Sequence, residues 1–213
     1  MSTWSAPSRR IPLAGHFLTA DESDAPFSRL LALGAVSELV LVGVAFGLGH
    51  LGGVSAFERL RLEGEGAAVG IAGALPMLAL LLWCLRTRWG PMRRLVTLVE
   101  ERLGPYLADA SPAGIVLLAL LAGLGEELLF RGVIQVWLAE RTSLWLAPAA
   151  AGLLFGAGHW LSASYALLAS LIGAYLGILF LVSGNLLAPI VAHAAYDVVA
   201  LFVLARRVGA SRG

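Results

Sequence analysis

Apolar residues run almost unbroken along most of this chain, and polar residues gather at the breaks. Six stretches read as membrane helices, at roughly 30–50, 66–85, 113–138, 144–160, 164–182 and 186–205, since about 20 apolar residues cross a bilayer. The fifth and sixth are separated only by Ser-Gly-Asn, which predicts antiparallel neighbours. The stretch at about 91–108 (PMRRLVTLVEERLGPYLA) has another rhythm. Leu95, Leu98, Val99 and Leu103 fall at helical spacing, with Arg93, Arg94, Glu100, Glu101 and Arg102 interleaved. That pattern predicts an amphipathic helix, at the membrane interface or as a solvated connector. Residues 1–29 are polar and lack the apolar core of a signal peptide. They read as a cytoplasmic lead-in, followed by N-terminal helices and connector over 30–110, a second helical group over 111–205, and a cytoplasmic tail over 206–213.

Composition fits this pattern. Of 213 residues, 59% are hydrophobic and 14% charged, against about 45–50% and about 25% in soluble domains. The expectation is an all-α integral membrane protein with about six transmembrane helices plus one amphipathic interfacial helix. The net charge of +1 gives no reason to invoke nucleic acid. The single cysteine, Cys84, reads as a small buried apolar side chain. All fifteen basic residues are arginine, which with the abundant Ala, Gly and Leu resembles a bacterial composition. With the N-terminus inside, eleven arginines fall on the cytoplasmic side and three outside, and Arg131 lies within a span. Arginine bias therefore predicts both termini in the cytoplasm of a cell whose inner membrane holds the chain.

Against this background the charges inside the spans need a reason. Gly123 to Gly132 reads GLGEELLFRG, and each charge at a bilayer centre costs roughly 2.5–3.5 kcal/mol on insertion scales. Glu127 and Arg131 stand at i and i+4 with Glu first, the favoured order for a pair on one helix face. Glu126 is turned away from that face, and Leu129 and Phe130 occupy its own i+3 and i+4 positions. One carboxylate is thus neutralised locally, and the other is free to serve as a general base. The fourth span ends FGAGHW, placing Phe155 and His159 at i and i+4, and the sixth carries His193 and Asp197 at the same spacing, after Asn185 and Pro189. Two imidazoles and two carboxylates converging from three spans are parts for activating water. Polar side chains also serve as interhelical glue, and Glu38, alone in the first span beside Ser37, is read that way.

The three motifs, Glu126-Glu127-Leu-Leu-Phe-Arg131, Phe155-Gly-Ala-Gly-His159 and His193-Ala-Ala-Tyr-Asp197, resemble those of the CPBP family of intramembrane proteases, the CAAX proteases and bacteriocin-processing enzymes also called the Abi family. The approach NLLAPI, Asn185 to Ile190, is similar as well, and the likeness covers about 111–205. The resemblance implies hydrolysis of a peptide bond in a membrane-associated peptide or protein. By analogy Glu126 and His159 activate water, while His193 with Asp197 stabilises the oxyanion. Glu127, Arg131, Phe155 and Asn185 are supporting residues. Relatives near the eukaryotic prenyl-protein proteases have Asn where Asp197 stands, and an ionised Asp cannot donate to an oxyanion. Either Asp197 is protonated, or it orients His193 and leaves that imidazole to donate; the second is expected, since a carboxylate at i+4 favours the imidazolium.

No cofactor is expected. Zinc held by Glu126, His159 and His193 is the alternative, since two His and a Glu leave one open position, although no HExxH sequence is present. The implied partners are a peptide or membrane-protein substrate and the lipid bilayer. Two other readings stay open. One is a non-catalytic scaffold or bacteriocin self-immunity factor that keeps the fold. The other is a transporter using the same groups as a proton relay, which predicts broken helices or paired repeats.

Overall fold

The structure, a computed structural model, describes residues 25–212. The lead-in expected over 1–29 falls outside it up to residue 24. The described residues form α1 (Ala25–Gly52), α2 (Gly64–Arg86), α3 (Gly90–Leu107), α4 (Pro112–Glu127), a π-helical segment (Leu128–Gln135), α5 (Val136–Arg141), α6 (Leu146–Gly158), α7 (Ala163–Ser183) and α8 (Leu187–Arg212). The 206–212 part of the expected tail thus continues α8.

Local chemistry sets the boundaries. The Ser111 hydroxyl accepts from the Gly114 N–H at 3.1 Å, and Pro112 follows at the first helical position, where its missing N–H costs nothing. Ser162 caps α7 in the same way, accepting from Tyr165 N–H at 3.2 Å. Gly184 ends α7 at φ 59°, a left-handed conformation that glycine adopts without strain.

Five helices among the described residues are long and apolar enough to cross a membrane: α1, α2, the continuous Pro112–Arg141 rod, α7 and α8. The fourth expected span, 144–160, is shorter in the structure. Its helix α6 has 13 residues, about 20 Å at 1.5 Å per residue, short of a core of about 30 Å. It pairs with α7 as a hairpin whose helices meet through small residues. A Cβ added at Gly152 would lie 2.5 Å from Ala174 N and 2.8 Å from Ser170 O, so the two backbones are as close as glycine allows. α8 packs along α2 and α4.

Two apolar clusters mark the ends of the bundle. Phe27 of α1, Leu107 of α3, Ile115 of α4 and Leu204 of α8 bury one another at one end. Ala45, Ala56, Val133, Phe180 and Leu186 do so towards the other. The beginning of α1 and the end of α8 therefore share an end, beside α3. The apolar stripe of α3 turns inward, with Leu95 and Leu107 buried. Elsewhere the helices present broad apolar surfaces outward, Leu33, Leu39, Leu51 and Leu75 among them, as lipid-facing helices do. The chain is a multi-pass membrane protein.

Candidate active site

The site is built where the Pro112–Arg141 rod changes winding. From Leu128 to Gln135 the helix is π-helical, a wider turn found mostly as local bulges at functional sites. Glu126 and Glu127 stand just before it, and Arg131 and Gln135 lie within it. Arg131 Nη1 donates to Glu127 Oε1 at 2.7 Å, and Nη2 donates to the Gly173 carbonyl at 2.6 Å. One turn on, Gln135 Nε2 donates to the Gly177 carbonyl at 2.9 Å. Two side chains a turn apart thus hold two carbonyls a turn apart on α7. Both glycines are needed for the approach: a Cβ at Gly173 would press on Phe155 at 3.1 Å, and one at Gly177 on Gln135 Oε1 at 2.5 Å. The Phe155 ring lies 4.8 Å from the Arg131 guanidinium carbon, a cation–π contact.

Both imidazoles are held at Nδ1 and present Nε2 to one carboxylate. His159 stands where α6 ends. Its Nδ1 lies 2.9 Å from the Phe155 carbonyl oxygen, and its ring stacks on Phe155 at 4.3 Å. A carbonyl only accepts, so the Nδ1–H donates. His193 Nδ1 lies 2.8 Å from Glu127 Oε1 and donates to that carboxylate. The two Nε2 atoms then face Glu126 Oε2 at 3.6 Å from His159 and 3.9 Å from His193. These separations exceed direct hydrogen bonds and suit groups that share a third polar atom. Glu126 Oε2 has no hydrogen-bond partner among the described residues. The three groups line one cavity of about 300 Å³ together with Phe155, Tyr165 and Asp197.

The structure thus brings Glu126, Glu127, Arg131, Phe155, His159 and His193 into one cluster. Asp197 is near it, its Oδ2 3.5 Å from His193 Nε2. The hydrogen bond of His193 is made with Glu127, at Nδ1, while Asp197 stands at ion-pair distance from the other ring nitrogen. Spacing along the sequence pairs Glu127 with Arg131 but cannot show that one oxygen serves both Arg131 and a histidine 66 residues away.

Asn185 is elsewhere. Its Oδ1 accepts from Arg61 N–H at 3.1 Å and Leu187 N–H at 3.0 Å, and its Nδ2 donates to Arg61 O at 2.9 Å. It clasps the α1–α2 loop to the start of α8, so its support is structural and remote. Asn185→Ala is expected to lower stability by roughly 1–3 kcal/mol, as lost hydrogen bonds to buried groups do, and to leave the Glu126 cluster in place. Thermal denaturation beside an activity assay checks this.

Glu38 differs from the glue reading in one respect. The hydroxyl of Ser37 donates to Gly34 O at 2.8 Å, while Glu38 Oε2 is buried against Gly125 without a hydrogen bond among the described residues. Cys84 is buried and lines the cavity. Gln135 passed unnoticed in the sequence, since one amide in an apolar run gives no sign of a partner on another helix.

Residues 109–199 match the family model described as Rce1-like, type II CAAX prenyl endopeptidase Rce1-like. The match spans all three motifs and nearly coincides with the 111–205 stretch that resembles CPBP proteases, so this segment carries the CAAX-protease family signature. Comparison with the curated proteins and with the solved structures gives no match.

Proposed function

We propose that the chain is an intramembrane endopeptidase that hydrolyses a peptide bond in a membrane-associated peptide or protein, without a metal ion. One observation carries this reading: two imidazoles, each with Nδ1 engaged, turn Nε2 towards the same unpartnered carboxylate oxygen of Glu126 inside an apolar cavity. The endopeptidase family matched over residues 109–199 supports it.

In this reading water is the co-substrate, held between Glu126 and His159. Glu126 takes a proton as the water oxygen bonds to the scissile carbonyl carbon. The carbonyl oxygen becomes an oxyanion and accepts a hydrogen bond from the Nε2–H of His193, which in this reading is doubly protonated, its Nδ1–H remaining on Glu127. Glu126 then returns its proton to the leaving nitrogen as the C–N bond breaks. The Arg131–Glu127–His193 chain keeps the second imidazole in place, and Asp197 borders it. Glu126, His159 and His193 are the side chains that would hold zinc, and in this reading no step is routed through a metal ion.

The α3 end of the bundle is taken as cytoplasmic, with both termini there. Eleven arginines fall on that side against three opposite, and the α6–α7 hairpin returns to the face it left, which keeps the start of α1 and the end of α8 on one side.

The test is purified protein in lipid vesicles with quenched fluorescent apolar peptides, with and without a zinc chelator. Cleavage equal in both arms is expected. Loss with chelator and recovery only with zinc would overturn the metal-free mechanism, and a folded protein that cuts none of a broad peptide set would leave the scaffold reading in its place.

A further inference from the structure

The cavity does not end at the catalytic cluster. On α8 it is lined by His193, Asp197, Ala200, Leu201, Leu204 and Arg207. Together with Tyr196 and Val203 they recur as one or two positions in each helical turn and therefore form one stripe along the helix. From His193 to Arg207 the rise is about 21 Å at 1.5 Å per residue. The facing wall is the apolar face of α3, through Leu95, Val96, Val99 and Leu103. The cavity is thus a slot, apolar along its length and polar at both ends. Glu126, His159 and His193 hold the inner end. Glu100 and Arg207 hold the outer end, at the α3 face of the bundle, and Arg207 is the one guanidinium among the described residues that line it. Arg207 Nε lies 2.5 Å from Glu100 Oε1, with the side chains 45% and 27% exposed. An ion pair this accessible to solvent exchanges partners at little cost.

We propose that Arg207 is an anion subsite of the slot. It takes a carboxylate of the substrate peptide, chain-terminal or side-chain, in exchange for Glu100, and so sets how far the scissile bond lies from that carboxylate. This rests on the hydrolytic reading above. The exchange is like for like, one carboxylate for another on the same guanidinium fork. An extended peptide advances about 3.3–3.6 Å per residue. The carboxylate at Arg207 and the bond presented to Glu126 are therefore about six residues apart, and the apolar side chains between them meet α3 and α8. A lipid phosphate is attracted by the same guanidinium and is the competing occupant.

The test uses the full chain in phosphatidylcholine nanodiscs and a dansylated apolar peptide of about eight residues, long enough to span the slot. Three forms are compared: the C-terminal free acid, the C-terminal amide, and the amide ending in Asp. Binding is read by fluorescence, which needs no turnover, and cut positions are read by mass spectrometry of the same samples. The acid is expected to bind about ten-fold tighter than the amide, with Asp restoring the difference, as charge-assisted pairing gives. Arg207→Gln should abolish that ratio, and Glu100→Gln should tighten both acidic forms. An acid-to-amide ratio that Arg207→Gln leaves unchanged overturns the subsite. So does a ratio that vanishes when phosphatidylglycerol replaces phosphatidylcholine, which assigns Arg207 to lipid. Acid preference without cleavage keeps the subsite and removes the hydrolytic reading; cleavage without acid preference does the reverse.

Discussion

Glu126→Gln is expected to reduce peptide cleavage by roughly 10²–10⁴-fold, the range that a positioned general base supplies, while the protein keeps its fold. The amide retains the shape of the side chain and removes its ability to take a proton. Glu126 Oε2 accepts no hydrogen bond from the described residues, so the exchange breaks no hydrogen bond at that oxygen, and the fold is expected to survive it. Thermal denaturation in detergent should therefore superimpose on the wild type while cleavage of a quenched peptide disappears. A variant that cuts at the wild-type rate would remove Glu126 from the chemistry.

Arg131→Ala is expected to act in the opposite way, through the fold. The side chains of Arg131 and Glu127 are fully buried, and removing one partner of a buried pair costs about 3–5 kcal/mol, because the other charge is left unpaired. The loss here spreads further. The Gly173 carbonyl loses its donor, Phe155 loses its cation, and Glu127 keeps only His193. Yield and melting temperature should fall together, and cleavage should fall in proportion to folded protein. An Arg131→Ala protein as stable as the wild type would show that Glu127 is neutralised by other means.

Much of this was legible in the sequence because it is written in period and polarity. The apolar runs placed the long helices to within a few residues except at the start of α1 and the end of α8, which continue to Ala25 and Arg212, and the interleaved charges of 91–108 marked α3, which the structure places at Gly90–Leu107. Three charges in an otherwise apolar span pointed to the cluster, since lipid does not tolerate them unpaired. What escaped is geometry that periodicity does not encode. The apolar run of 144–160 looked like a full span, but the backbone leaves the helix at His159, and that break aims the imidazole at Glu126. The π winding of Leu128–Gln135 leaves the hydrophobic pattern intact. Partners chosen across the fold were equally hidden: Glu127 for His193, Asn185 for the Arg61 backbone, Gln135 for Gly177.

The central claim is that Glu126, His159 and His193 direct water onto a peptide bond. It is tested most directly by incubating the vesicle-reconstituted protein with a pool of apolar peptides in ¹⁸O-labelled water and reading new chain ends by mass spectrometry. The account predicts new C-termini that carry ¹⁸O with the wild-type protein and none with Glu126→Gln. An intact peptide pool with folded wild-type protein, or equal cutting by both, would contradict it.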